Sequence, residues 1–250
     1  MTAEEQRHPL RNTLILIAGL LVVWQVVYWI IGDVAMRTPW QTVRYTIRLA
    51  QTELFWVHLD NTMRAFALAL VIALVVGLLI GFALGMHRLS ADAMEPMLVA
   101  LYSIPKVTLY PIILLAFGLG MSAKVAFGAI HGIIPIALFT LNALRSTKPI
   151  LLKTGRVLKL DAQQSVRWVL FPAAVPETFT GIRVGFSLTL IGTILGEMFA
   201  AQHGLGYLLM NAIGLYNVDV IMAVTFLLVV FAASVNAVLL AIDRRLHFRA

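Results

Sequence analysis

Residues 65–86 read AFALALVIALVVGLLIGFALGM and contain no charged side chain. The hydrocarbon core of a bilayer is about 30 Å thick, and a helix crosses it with about 20 apolar residues. The stretch is long enough to cross. Its apolar residues do not alternate with polar ones, so it does not read as a barrel strand. Working outward, the runs 12–31 and 220–242 are equally free of charge. The run 125–144 is interrupted only by His131, the run 97–119 by Lys106 and the run 184–203 by Glu197. These runs predict an all-α integral membrane protein with about six transmembrane helices.

The composition agrees. Charged residues make up 12% of the 250, against about 25% in soluble domains, and the mean hydropathy is +0.90. There is no cysteine, which excludes a disulfide framework and thiolate metal sites. Arg7 and Arg11 ahead of the first run imitate a signal peptide. However, the run is longer than the 7–15 or so apolar residues of a signal core, and no small-x-small cleavage site follows. It reads as a retained first span.

The net charge is +7. In a soluble chain this would suggest nucleic acid. Here the charges fall between apolar runs, where Lys and Arg set topology, so no nucleic-acid partner is expected. With the N-terminus in the cytoplasm, thirteen of the 19 Lys and Arg residues lie inside and five outside, with Lys106 within a span. Both termini are therefore expected to be cytoplasmic, and 145–183 becomes the longest inside loop. The outside segment 32–60 mixes Trp40, Tyr45, Phe55 and Trp56 with charges. It predicts a short amphipathic helix on the outer surface, since such aromatics settle at the membrane–water boundary. The expected organisation is 1–59 (tail, first span and external segment), a five-helix core over 60–243, and a tail over 244–250.

The inside loop contains TGRVLKLDAQQSVRWVLFPAAVP, residues 154–176. Residues 150–171 predict one or two short amphipathic helices. Pro172 and Pro176 are expected to stop a helix and extend the residues before them. From the residues alone, the loop is either a solvated basic segment that enforces topology or a device that presents a short helix away from the membrane.

The stretch VLFPAAVPETFTGIRVG (169–185) resembles the end of the "EAA…G…LP" motif of binding-protein-dependent ABC importer permeases. GEMFAAQHGLGYLL (196–209) and SIPKVTLYPIILLAFGLG (103–120) resemble that family's sulfonate, taurine and nitrate branch. The likeness covers about 60–243. It implies the type I importer permease fold in a bacterial inner (plasma) membrane, with no catalysis by this chain. It also implies several partners: a second permease subunit, identical or different, two ATP-binding subunits docked on the cytoplasmic loops, and an external solute-binding protein. The solute would be a small anion such as a sulfonate, taurine or nitrate, or a pyrimidine-type compound. No G-x-x-x-x-G-K-[ST] phosphate loop is present, so ATP would be bound by the partner and no cofactor by this chain. By the same resemblance the coupling residues are Lys153, Arg156, Lys159, Leu160, Asp161 and Pro172. The front of the motif departs from the family. Lys153, Thr154 and Gly155 stand where the family has a glutamate and two alanines, and Lys159 stands at its glycine. Either the helix runs through Lys159 or the turn has moved.

Ionisable residues inside spans are functional candidates, because burying them is costly. Glu197 is either part of an outer gate or an anchor for the GLGYL loop. Lys106 either faces the pathway and favours anions or snorkels to the cytoplasmic surface. His131 reads as a packed, hydrogen-bonded histidine. Pro105, Pro111 and Pro135 each remove a backbone hydrogen bond that protein or cavity water must replace. Pro105 and Pro111 join Lys106 and Glu197 as pathway or gate candidates. Gly77, Gly81 and Gly85 form one helix face for close packing, read as packing within the subunit ahead of a dimer seam. No metal site is expected. A membrane enzyme would need converging His, Asp or Glu groups, which three residues on three spans do not provide. The competing transport reading is a secondary transporter or channel uncoupled from ATP, for which repeat symmetry or more intramembrane charge is expected.

Overall fold

The computed structural model describes residues 9–247, without the side chains of Pro9, Leu10, Arg156, Ala162 and Ala200. Arg7 and Arg249, which enter the charge count, lie outside it. The described residues form α-helices and no strand. In chain order these are α1 (Pro9–Ile31), α2 (Pro39–Ala50), α3 (Glu53–Gly85), α4 (Arg88–Ser103), α5 (Tyr110–Phe117), α6 (Met121–Arg145), α7 (Pro149–Val157), α8 (Ala162–Ser165), α9 (Phe171–Ala200), α10 (Leu205–Gly214) and α11 (Val218–His247). Five helical segments are long and apolar enough to cross a membrane: Arg11–Ile31, Glu53–Gly85, Met121–Arg145, Gln163–Phe199 and Val218–His247. A sixth is reached if α4 and the stretch Lys106–Phe117 form one bent span. About six spans is therefore the architecture, as expected.

The chain divides into two compact units. One comprises Met1–Trp56 with Leu208–Val229. Its α2 begins with a capping box: Thr38 Oγ1 accepts from the Gln41 amide at 3.1 Å, and Gln41 Oε1 accepts from the Thr38 amide at 2.8 Å. Two orphan amides at the helix start are thereby satisfied. Thr42, Thr46 and Leu49 are buried on one face, while Trp40 is exposed on the other. Segment 32–60 thus does contain a short amphipathic helix. In the same unit Arg37 pairs with Asp219 at 2.7 Å, and the Trp24 indole donates to the Arg37 carbonyl at 3.0 Å.

The other unit, Val57–Tyr207 with Val230–Ala250, is built on α6. Small residues let α3 and α9 approach it closely. A Cβ on Gly81 of α3 would sit 2.8 Å from the Ala137 carbonyl oxygen, and one on Gly77 would sit 2.8 Å from Ile136 Cβ. The α3 glycine stripe is therefore consumed by packing within the chain. On α9, Gly192 lies against the His131 ring and Gly196 against the Lys124 backbone. Pro135, inside α6, is among the fully buried residues, so it faces protein. His131 is packed as expected: Nδ1 lies 2.8 Å from the Phe127 carbonyl oxygen, and its ring meets the Phe127 ring edge-on.

Two local expectations change. The run 97–119 is not one straight helix: α4 and the stretch after Ser103 are bent by 84°. Pro105 cannot donate to the Leu101 carbonyl, so the helix stops there and restarts through a 3-10 turn over Lys106–Leu109. By contrast, Pro172 and Pro176 do not stop the helix. A π-turn over Val166–Leu170 precedes Pro172, with the Phe171 amide bonded to the Val166 carbonyl. Helix then continues from Gln163 to Phe199 with Pro176 inside it. The wider turn absorbs the missing proline amide, which an α-turn cannot do without losing a bond.

Candidate functional site

Three places gather the ionisable and proline residues singled out in the sequence. The first surrounds Glu197, near the end of α9. Its side chain has 0% exposure. Lys124 Nζ lies 3.2 Å from Oε1, and Thr62 Oγ1 and the Gly206 amide donate to Oε2 at 2.8 and 3.0 Å. Lys124 also donates to the His203 carbonyl at 3.3 Å. The Thr62 hydroxyl then accepts from the Leu205 amide at 2.7 Å, and His58 Nδ1 accepts from the Gly204 amide at 3.0 Å. Every amide of the Gly204–Leu205–Gly206 turn is thus held by a side chain from α3 or α9. Gly204 sits at φ +127°, a left-handed backbone that side chains disfavour, and a Cβ there would strike the Glu197 carboxylate. Glu197 anchors this loop. Sequence reasoning missed the partners: Lys124 counted as an outside-loop charge, and Thr62 and His58 carried no signal. A buried charge is normally paired, and Lys124, at the edge of the run 125–144, was an available cation.

The second place is the break between α4 and α5. Lys106 opens the 3-10 turn and is 8% exposed. Its ammonium donates to the Tyr102 carbonyl at 3.0 Å and lies 5.3 Å from the centre of the Tyr102 ring. Among the described residues it has no carboxylate within ion-pair distance. Pro105 caps the turn, and Pro111 occupies the first turn of α5, where its missing amide costs nothing. Tyr110 ties α5 to α9 by donating to the Gly196 carbonyl at 2.9 Å. No hydrogen bond or ion pair joins Lys106 to Glu197 among the described residues, and each has its own partners.

The third place is the segment between α6 and α9. Lys159 has φ +50°. The turn has therefore stayed where the family has glycine, and a lysine accepts the left-handed backbone. The helix does not run through. The Leu160 amide closes back on the Gly155 carbonyl at 3.0 Å, as in a Schellman end. Asp161 caps α8: its Oδ1 accepts from the Gln164 amide at 2.7 Å, and Gln164 Oε1 accepts from the Asp161 amide at 3.1 Å. Lys153, Lys159, Asp161 and Pro172 are exposed and Leu160 is half-buried, while the Arg156 side chain lies outside the described residues. Val157, Leu158 and Trp168 are 80%, 65% and 66% exposed. Beside them opens a groove of about 890 Å³, lined among others by Leu151, Leu158, Leu160, Trp168, Pro172 and Pro176. Ser146 Oγ donates to Glu177 at 2.9 Å, and Arg145 pairs with Asp92 at 3.0 Å and with Glu95.

Comparison with known proteins agrees with this geometry. The family described as "Binding-protein-dependent transport system inner membrane component" matches residues 73–250. The riboflavin transport system permease protein RibX of Chloroflexus aurantiacus is 35% identical over 211 residues, covering 81% of this chain and 76% of that protein. The taurine transport system permease protein TauC of Escherichia coli is 25% identical over 251 residues, covering 96% and 91%. A chain of the MetNI methionine ABC transporter, solved in inward-facing conformations, shares the fold with a TM-score of 0.67 at 22% identity, covering 78% of this chain and 99% of that one.

Proposed function

Because the chain belongs to the family of binding-protein-dependent transport system inner membrane components, we propose that it works as one of two permease subunits driven by two ATP-binding subunits and supplied by an external solute-binding protein. The chain is an inner-membrane transport permease of the ABC importer class. The finer assembly, the cytoplasmic placement of both termini and the partner's ATP hydrolysis are our reading. So is the solute: a small anion such as a sulfonate, taurine or nitrate, or a pyrimidine-type compound. The names of the relatives support that range.

The observation that carries the reading is the element between α6 and α9. A short helix ends in a closed left-handed turn at Lys159, and the next helix starts on a capped Asp161. Apolar side chains stand exposed around it and a groove lies beside it. Exposed apolar surface with a polar rim marks a protein contact. Lys153, Arg156, Lys159, Leu160, Asp161 and Pro172 would form that contact with the ATP-binding subunit, and Lys106, Glu197, Pro105 and Pro111 would belong to the pathway or its gates. ATP binding by the partners would draw two such elements together and turn the pathway outward.

The test is to replace residues 153–165 with a flexible linker. The variant should reach the membrane but lose its copurifying ATP-binding protein. An intact, ATP-coupled complex would sink the assignment. Uptake that survives removal of the ATP-binding subunit would instead favour the secondary-transporter reading.

A further inference from the structure

The break between α4 and α5 has two properties that do not suit a lipid-facing surface. The first is backbone. Pro105 leaves the Leu101 carbonyl without its helical donor, and the chain runs non-helically before the 3-10 turn at Lys106. Irregular backbone inside a membrane is tolerated where protein covers it or where it lines a water-filled cavity. Yet Tyr102, Ser103, Ile104, Pro105, Val107 and Thr108 are all exposed on the single chain. The second property is charge. Lys106 lies beneath this exposed strip, with only the Tyr102 carbonyl and ring for company. No described carboxylate pairs with it. A buried cation is normally paired, and the other buried lysine, Lys124, is paired by Glu197.

We propose that the α4–α5 break lines the translocation pathway and that Lys106 is the counter-charge that selects anionic solutes there. This rests on the permease reading above and deepens it by naming the substrate class as small anions, the sulfonate-like or nitrate-like end of the range. The ammonium is positioned by the α4 carbonyl end, and Ser103 and Thr108 bring hydroxyl groups to the same strip. A passing anion would complete the pairing that the fold leaves open. The Tyr102 carbonyl is a neutral partner, so no carboxylate competes with that anion for the Lys106 nitrogen.

The chain contains no cysteine, so a single introduced thiol reports on the strip without background. The assembled importer carrying Ser103→Cys, in membrane vesicles, is treated in parallel with an anionic sulfonatoethyl and a cationic trimethylammonioethyl methanethiosulfonate. A nearby unscreened cation attracts one reagent and repels the other. The anionic reagent should react faster by about tenfold relative to its ratio on a free thiol, an advantage set by that cation. Adding Lys106→Gln should erase the preference, and Lys106→Arg should keep it. Thr108→Cys serves as the second probe if Ser103→Cys fails to accumulate.

Three outcomes overturn the proposal. If neither reagent reacts at either position, the strip is covered and is not pathway. If both react without charge preference, Lys106 does not set the local field. If the preference survives Lys106→Gln, another group sets it and Lys106 merely caps α4. The readout needs neither ATP nor a known solute. It therefore stays separate from the copurification test, which can fail on its own and would then remove the permease reading instead.

Discussion

Lys124 and Lys106 are both more than nine-tenths buried, at 3% and 8% exposure; Lys124 stands at the edge of an apolar run and Lys106 at a break inside one. Lys124 meets a carboxylate that itself accepts from a hydroxyl and a backbone amide, so the pair closes a network and pins the Gly204–Gly206 turn. Lys106 meets one carbonyl oxygen at a helix break. The same residue type at similar burial thus meets a carboxylate in one region and only a carbonyl in the other. Burial alone does not assign a role to an intramembrane lysine; its partner does.

The comparison can be broken most directly at Glu197. Glu197→Ala leaves Lys124 as a buried, unpaired cation, and losing one partner of a buried pair costs about 3–5 kcal/mol. Thermal unfolding of the detergent-purified chain should show that loss. A variant as stable as the parent would mean that Lys124 finds water or another acceptor. Replacing both partners, as Lys124→Met with Glu197→Leu, should then be milder than the two single changes added together, by about 1–3 kcal/mol. Additive losses would contradict a coupled pair.

Thr62→Val removes the hydroxyl that bridges Glu197 and the Leu205 amide. Orphaning these buried groups should cost about 1–3 kcal/mol, read in the same unfolding assay and as faster amide exchange in the 203–206 loop. A third lysine offers a smaller effect. Lys159→Gly relieves a left-handed side-chain residue and should raise stability by about 1 kcal/mol. Destabilisation there would mean that the lysine side chain has a structural partner. Smallest of all should be Lys106→Met, below about 1 kcal/mol, since it sacrifices one neutral-acceptor bond and orphans no carboxylate. A loss as large as that of Glu197→Ala would erase the distinction between the two lysines.

Apolar runs, charge placement and three motif segments were enough for the membrane class, the number of spans and the family. These are properties of residues added along the chain: hydrocarbon thickness sets run length, and loop charges add one by one. Glu197 was legible for the same reason, since one carboxylate in an apolar run stands out. Lys124 was misread because a lysine at the edge of a run looks the same in sequence whether it reaches water or turns inward. The prolines were misread in both directions. Pro105 breaks its helix, whereas Pro172 is absorbed by a π-turn and Pro176 is carried inside the helix, although each lacks the same amide.

By itself, the sequence determined that this chain spans a membrane and which three charged or basic side chains interrupt its spans. Only the tertiary structure decided which lysine pairs with Glu197, where the run 97–119 breaks, and that Lys159 takes a left-handed backbone at a turn the family keeps as glycine. The reason is physical. Transfer into lipid is close to a sum over residues, whereas ion pairing, proline accommodation and turn closure depend on atoms brought within about 3 Å by packing distant in sequence.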